Sequence, residues 1–163
     1  MTILPAYAQP YGAGKYNSNT PYGSETSLSI SAAGSVTMTI NPSETGTLGT
    51  AINNVTVFST DVVGYKLYVR AIGSTTMTAG TSTIPASANV VAGPLALNTW
   101  GYNTTGTNNF AGVTETDTLL KNAVGPFSTG DLTAVSYGLN IDRAQAAGSY
   151  VSSLIYTAVP QTN

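Results

Sequence analysis

Asp131-Leu-Thr-Ala-Val-Ser-Tyr-Gly-Leu-Asn-Ile-Asp142 is the stretch from which the fold can be read. Val135, Tyr137, Leu139 and Ile141 fall on one side of an extended chain, and Ala134, Ser136, Gly138 and Asn140 on the other, because successive strand side chains point to opposite faces. The run predicts a strand whose Val/Tyr/Leu/Ile face lies in a core. Downstream, Ala147-Gly-Ser-Tyr-Val-Ser-Ser-Leu-Ile-Tyr-Thr-Ala-Val159 is a second β-rich run. The short Asp142–Gly148 connection predicts that it pairs antiparallel with its predecessor, since a parallel crossover needs a dozen residues or more.

Upstream the same period recurs. In Tyr65-Lys-Leu-Tyr-Val-Arg-Ala-Ile72, Tyr65, Leu67 and Val69 share a face, and Lys66, Tyr68 and Arg70 mark the solvent side. Leu28, Ile30 and Ala32 alternate with serines, and Val36, Met38 and Ile40 alternate with threonines across Ala33-Gly34, which predicts a β-hairpin. Asn41 to Gly49 reads as a loop and about Ala51–Thr60 as a strand. Residues 73–96 are rich in Gly, Ser, Thr, Ala and Pro and predict irregular chain with one short edge strand near Ser82–Ile84. Leu97–Asn103 predicts a short strand, and Gly125-Pro126 a turn. The only helical candidate is a single turn at Arg143–Ala147.

Seven to nine short strands with regular turn signals predict an all-β fold, an antiparallel β-sandwich of immunoglobulin-like or pilin-like kind. The expected organisation is a sandwich domain over residues 26–160, preceded over residues 1–25 by a signal-peptide remnant and an extended Tyr/Gly/Pro-rich arm. Ala6-Tyr7-Ala8 before Gln9 fits a signal-peptidase site, which predicts export to the cell surface or beyond. In the arm, Pro-Tyr-Gly occurs at 10–12 and again at 21–23, so Tyr11, Tyr16 and Tyr22 are candidate docking residues for assembly.

Composition narrows the function. Only 7% of the 163 residues are charged, against about a quarter in an average soluble domain. Solubility then rests on Ser, Thr and Asn, while 42% apolar content supplies enough burial to fold. The net charge is −2 and the five basic residues are scattered, so no basic patch for phosphates forms and nucleic acid is not an expected partner. No apolar run reaches the roughly 18 residues that span a bilayer as a helix. Cysteine and histidine are absent, which removes disulfides, thiolate and imidazole metal sites, and Ser-His-Asp or Cys-His catalysis.

What remains for chemistry is carboxylate. Glu115 and Asp117 are the only close acidic pair, and they lie in Val-Thr-Glu-Thr-Asp-Thr, which reads more simply as a solvated loop or edge than as a glycosidase pair. Asn108-Asn109 with Glu115 and Asp117 supply oxygen donors suited to calcium, but their spacing matches no EF-hand or repeat loop. Lys66 has the chemistry for an intramolecular isopeptide bond to an Asn, yet it alternates onto the same face as Arg70. No enzyme activity, metal or cofactor is therefore expected. Trp100, Tyr102 and Tyr68 are the candidate sugar-binding aromatics if exposed, with Trp100 more simply read as core.

Ala147-Gly148-x-Tyr150 with the strand ending Tyr156-Thr157-Ala158 resembles the final strand of WxL-type wall-binding proteins and spore-coat-U-type pilus subunits. Gln9–Gly12, Gly64–Val69 and Trp100–Tyr102 together are similar to segments of uncharacterised secreted proteins of candidate-phyla bacteria. The resemblance implies an extracellular β fold and brings no residue roles. Trp100 stands in Trp-Gly-Tyr rather than Trp-x-Leu, which argues against peptidoglycan binding of the WxL kind. The expected function is structural or adhesive, with self-association or a surface glycan or protein as partner; the alternative is a carbohydrate-binding module.

Overall fold

Alternation places the strands, and the identity of their neighbours decides which sheet each joins. A computed structural model describes residues 27–161. Its strands are β1 (Ser27–Ser31), β2 (Thr47–Thr60), β3 (Gly64–Ala71), β4 (Met77–Ala79), β5 (Ser82–Ile84), β6 (Thr99–Asn103), β7 (Thr118–Val124), β8 (Phe127–Ile141) and β9 (Leu154–Gln161). They form a four-stranded sheet in the order β1-β2-β8-β6, a three-stranded sheet in the order β7-β3-β9, and the small β4-β5 hairpin. Every pairing between these strands is antiparallel, and no helix occurs among the described residues.

The two larger sheets share one core. From the four-stranded sheet come Val55, Val57, Trp100, Tyr102, Val135, Tyr137, Leu139 and Ile141; from the three-stranded sheet come Tyr65, Leu67, Val69, Ala71 and Ala123. The Tyr65 ring meets the edge of Phe127 at 5.6 Å between centroids, with planes 80° apart, a favoured aromatic geometry. Its hydroxyl donates to Asp131 Oδ2 at 2.7 Å, and Lys121 Nζ lies 2.6 Å from Asp131 Oδ1. This half-buried triad ties β3, β7 and β8 together near one end of the core.

β8 is covered on both faces over its middle. Phe110, fully buried, sits on its outer face: a Cβ at Gly138 would fall 2.5 to 2.7 Å from three Phe110 ring atoms. The segment carrying Phe110 is bound to the edge of β6 by Tyr102 N to Ala111 O and Ala111 N to Tyr102 O, at 2.9 and 2.8 Å. Asn103 organises the loop beneath, its amide donating to Thr107 O and Asn109 O and accepting from Thr105 N and Gly106 N.

Three expectations are corrected. The Leu28–Ile40 hairpin does not form: β1 pairs instead with Thr56–Thr60 of β2, and residues 33–40 carry no strand. The reason lies in Asn53, whose side chain takes both the N–H and the C=O of Ala33 at 3.0 and 3.3 Å, replacing a ladder. Val36, Met38 and Ile40 then lean onto the core, which is what their alternation encodes. The loop expected to Gly49 is shorter, since β2 begins at Thr47, with Gly49 leaving room for the Ile40 side chain. Finally, β9 pairs with β3, not with β8. Both edges of β8 are already taken by β2 and β6, so the chain after Asp142 must cross to the other sheet. Tyr150 shapes that crossing, its hydroxyl donating to Ala146 O and accepting from Gln145 Nε2 at 2.7 Å each.

The two ends of the described chain lie together. Ser27 stands opposite Thr60 in the β1–β2 register, and Gln161 opposite Gly64 in the β3–β9 register, with Val63 N donating to Gln161 O at 2.9 Å.

Candidate functional site

Between the two sheets, beneath residues 33–38, lies a cavity of about 300 Å³. β2 contributes Asn53, β6 Trp100 and β8 Tyr137, each at an inward-facing position of the four-stranded sheet. Leu154 and Tyr156 of β9 line it, with Ser152 just before that strand, and Met77 of β4 adds a thioether. The chain from Ala33 to Met38 flanks the side where β2 has no strand partner beyond Thr56, and the cavity is about half open to solvent.

Its lining is mixed and uncharged, with Ser35, Asn53, Tyr137, Ser152 and Tyr156 set among Val36, Met38, Met77 and Leu154. The Tyr137 and Tyr156 hydroxyls are hydrogen-bonded to each other across the sheets. Burial raises the pKa of both, and the neighbouring Tyr156 adds to the rise at Tyr137; hydrogen bonds from Tyr137 and Asn53 partly oppose it at Tyr156. Both therefore stay protonated at neutral pH. Trp100 Nε1 donates to Thr75 O at 2.9 Å, so the indole N–H is already satisfied. Ser152 Oγ is buried without a hydrogen-bond partner among the described residues. No Asp, Glu, Lys or Arg lines the cavity.

The residues proposed from sequence do not converge. Trp100, 1% exposed, is core and cavity wall at once, and Tyr102 is buried beside Tyr137 in the β6–β8 register. Burial raises the Tyr102 pKa, opposed by a hydrogen bond with Thr118. Tyr68 lies on the opposite, outer face of the three-stranded sheet, in register with Leu119 and Thr157. An exposed aromatic platform made of these three is thus replaced by one enclosed indole, because the inward parity of β6 carries Trp100 and Tyr102 into the core. Tyr11, Tyr16 and Tyr22, like Ala6–Ala8, lie outside the described residues.

Glu115 and Asp117 are exposed, and Asp117 Oδ1 faces Arg70 Nε at 3.4 Å. Lys66 stands in register with Asn122 on the outer face, where Asn122 Oδ1 accepts from Gln161 Nε2 at 2.6 Å. Sequence reasoning missed Asn53, Tyr137, Tyr156 and Ser152 as one cluster. The available signal was Asn53, a polar residue on the inward parity of Ala51, Val55 and Val57. Comparison with protein-family models, curated proteins and solved structures finds no match, so the site is read from its own residues.

Proposed function

We propose that this protein is a non-enzymatic, extracellular structural or adhesive surface protein that assembles through its sheet faces. The observation that carries this reading is the set of exposed apolar side chains on both outer faces, interspersed with Thr50, Asn54 and Thr56 on one sheet and Lys66 and Arg70 on the other. On the four-stranded sheet Ile52 is 59% and Leu132 56% exposed, with Phe58 nearby on the same parity of β2. On the three-stranded sheet Leu119 is 49% and Val159 44% exposed, with Ile155 and Tyr68 on the same face. Isolated exposed apolar residues are ordinary, whereas several gathered on one sheet face favour a contact surface. With 7% charged residues over the chain, there is little electrostatic repulsion between copies. Export is supported by the Ala6–Ala8 motif and by the low charge and Ser/Thr/Asn-rich composition of the chain.

A sugar-stacking module has less support, since only Tyr68 of the three candidate aromatics reaches an outer face. Sedimentation, light scattering and negative-stain microscopy of the purified chain test the proposal. Multimers that dissociate in an Ile52→Lys/Leu119→Lys variant of native circular dichroism support it. A wild-type chain that stays monomeric at high concentration refutes assembly as its role.

A further inference from the structure

β2 is paired with β8 along most of its length, but on its other side β1 covers only Thr56–Thr60. The parity of the ladder shows which groups the uncovered edge presents. Trp100 bonds to Pro85 and Ser87, and Tyr102 to Ala111, on the side of β6 away from β8. Backbone groups of successive strand residues point to alternate edges, so Gly101 and Asn103 face Gly138 and Ser136 of β8. Val135, Tyr137 and Leu139 then face β2, where they meet Asn53, Ala51 and Gly49. Leu48, Thr50, Ile52 and Asn54 therefore aim both N–H and C=O at the open edge. No backbone or side-chain group among the described residues bonds to them there.

We propose that this edge pairs with the same edge of a second copy, antiparallel about a two-fold axis at Ala51, joining the two four-stranded sheets into one. The register follows from the free groups. Hydrogen-bonded pairs form only between edge-facing residues, and the axis that engages all four sets Leu48 opposite Asn54 of the second copy and Thr50 opposite its Ile52. Each pair exchanges both N–H···O bonds. On the outer face the half-exposed Ile52 is covered by the second copy's Thr50 and approaches its Ile52 diagonally. On the inner face Gly49 and Ala51 stand nearest the axis, the smallest side chains the strand could offer there.

A second copy is the occupant that the strand's own chemistry favours. Exposed edges are ordinarily protected by a charged side chain, a proline, a bulge or short length. Thr47–Thr60 is 14 residues long with no charged residue and no proline, and its one register shift, between Val57 and Ser59, lies beyond the open span. Like charges thus never meet across the two-fold, and a charged partner finds no counter-charge on the strand. The neighbouring chain is drawn to the core side of β2: Ala33 is held by the inward Asn53 side chain, and Ile40 fills the space beneath Gly49. This contact uses a sheet edge, so it is independent of association through the sheet faces.

The test uses the full chain, which has no cysteine of its own. Ala51→Cys sets two thiols across the axis in a non-hydrogen-bonded pair, with Cα atoms about 4.5 Å apart, within the span of a disulfide. Mild oxidation should crosslink it to a dimer, whereas Leu48→Cys, whose counterpart lies some six residues along the strand, about 20 Å away, should stay monomeric on denaturing gels. Sedimentation of wild type should show a dimer with a dissociation constant of about 10 μM. Thr50→Pro deletes an edge-facing N–H and leaves the β8 ladder intact, so it should weaken the dimer at least about tenfold with native circular dichroism; Asn54→Pro carries the same test if Thr50→Pro fails to fold. Amide exchange at Leu48, Thr50, Ile52 and Asn54 should slow as concentration rises, while Gly49, Ala51 and Asn53 are protected throughout. Leu119→Lys, on the other sheet, should leave the Ala51→Cys crosslink unchanged, which separates this edge from the sheet faces. Equal crosslinking of Ala51→Cys and Leu48→Cys, folded proline variants that associate like wild type, or exchange at the four edge amides that ignores concentration overturns the proposal, even where multimers form through the faces.

Discussion

Replacing Gly138 by alanine sets a methyl group 2.5 to 2.7 Å from three atoms of the Phe110 ring. Carbon atoms rest at about 3.5 to 4.0 Å, so the ring must retreat by roughly 1 Å. It has nowhere easy to go. Phe110 is fully buried, its backbone exchanges two hydrogen bonds with Gly93 at 2.7 and 3.1 Å, and its neighbour Ala111 is bonded to Tyr102. Overpacking of this kind costs about 1 to 3 kcal/mol. Because Gly138 has no positive φ, alanine also restricts the unfolded chain, which returns about 0.4 to 1 kcal/mol. The expected net loss is about 1 to 2 kcal/mol, or roughly 2 to 8 °C in Tm for a domain of this size. Urea unfolding followed by Trp100 emission measures it. Phe110→Leu in the same background should relieve the clash, making the double variant about 1 kcal/mol more stable than the sum of the single losses predicts. Gly34→Ala is the control, expected to be neutral or slightly stabilising since its Cβ enters open space. A Gly138→Ala variant within 0.5 kcal/mol of wild type, or strictly additive losses with Phe110→Leu, would refute the reasoning.

Asp131→Ala should cost about 2 to 3 kcal/mol in urea unfolding, because it removes the Asp131 partner of the buried Tyr65 hydroxyl and leaves the half-buried Lys121 ammonium with the Leu132 carbonyl and solvent in place of a carboxylate. Arg143→Ala should change stability by less than about 0.5 kcal/mol, since its pairing with Glu44 is largely exposed on both sides; a larger effect there would contradict the weighting of burial over ion-pair number. At alkaline pH, Tyr65, Tyr102, Tyr137 and Tyr156 all have folded pKa values raised by burial above the ordinary 10.0, with Asp131 adding to the rise at Tyr65. Their contribution is fully present below pH 10. Above it the unfolded chain loses these protons first, so each group removes about 1.4 kcal/mol per pH unit until its own folded pKa is reached. The phenolate absorbance of these four among the ten tyrosines should therefore rise in step with loss of near-ultraviolet circular dichroism, and ionisation of all ten in a still-folded chain would contradict the burial assigned to the four.

Strand identity was legible wherever one face is apolar and the other polar. Val135 to Ile141 and Tyr65 to Val69 lie where their period places them, and Ser82–Ile84 is a strand of three residues. Partner choice was less legible, because periodicity describes a strand's faces and says nothing of its edges. Ala147–Val159 gives no sign that both edges of β8 are occupied by residues distant in sequence. Val36, Met38 and Ile40 announce burial correctly, yet the single residue that keeps them out of a ladder, Asn53, stands on another strand. Among site residues, Trp100 was readable as core from its size. The cavity was not, since it depends on the packing distance between two sheets rather than on any motif, and Tyr137 and Tyr156 meet only because β9 changes sheets.

The adjacent ends of the described chain have a mechanical consequence. Ser27 and Gln161 both leave at the same pole, flanking the turn between β2 and β3. A pull applied between them would load β1 from its Ser27 end, opening its five paired positions with β2 one after another. That is peeling, in which the hydrogen bonds resist in succession, whereas strands dragged lengthwise past each other resist together. A domain tethered through these ends would yield at low force and expose the cover of residues 33–40 next. Tension carried instead through the sheet faces would bypass β1 and leave residues 33–40 in place.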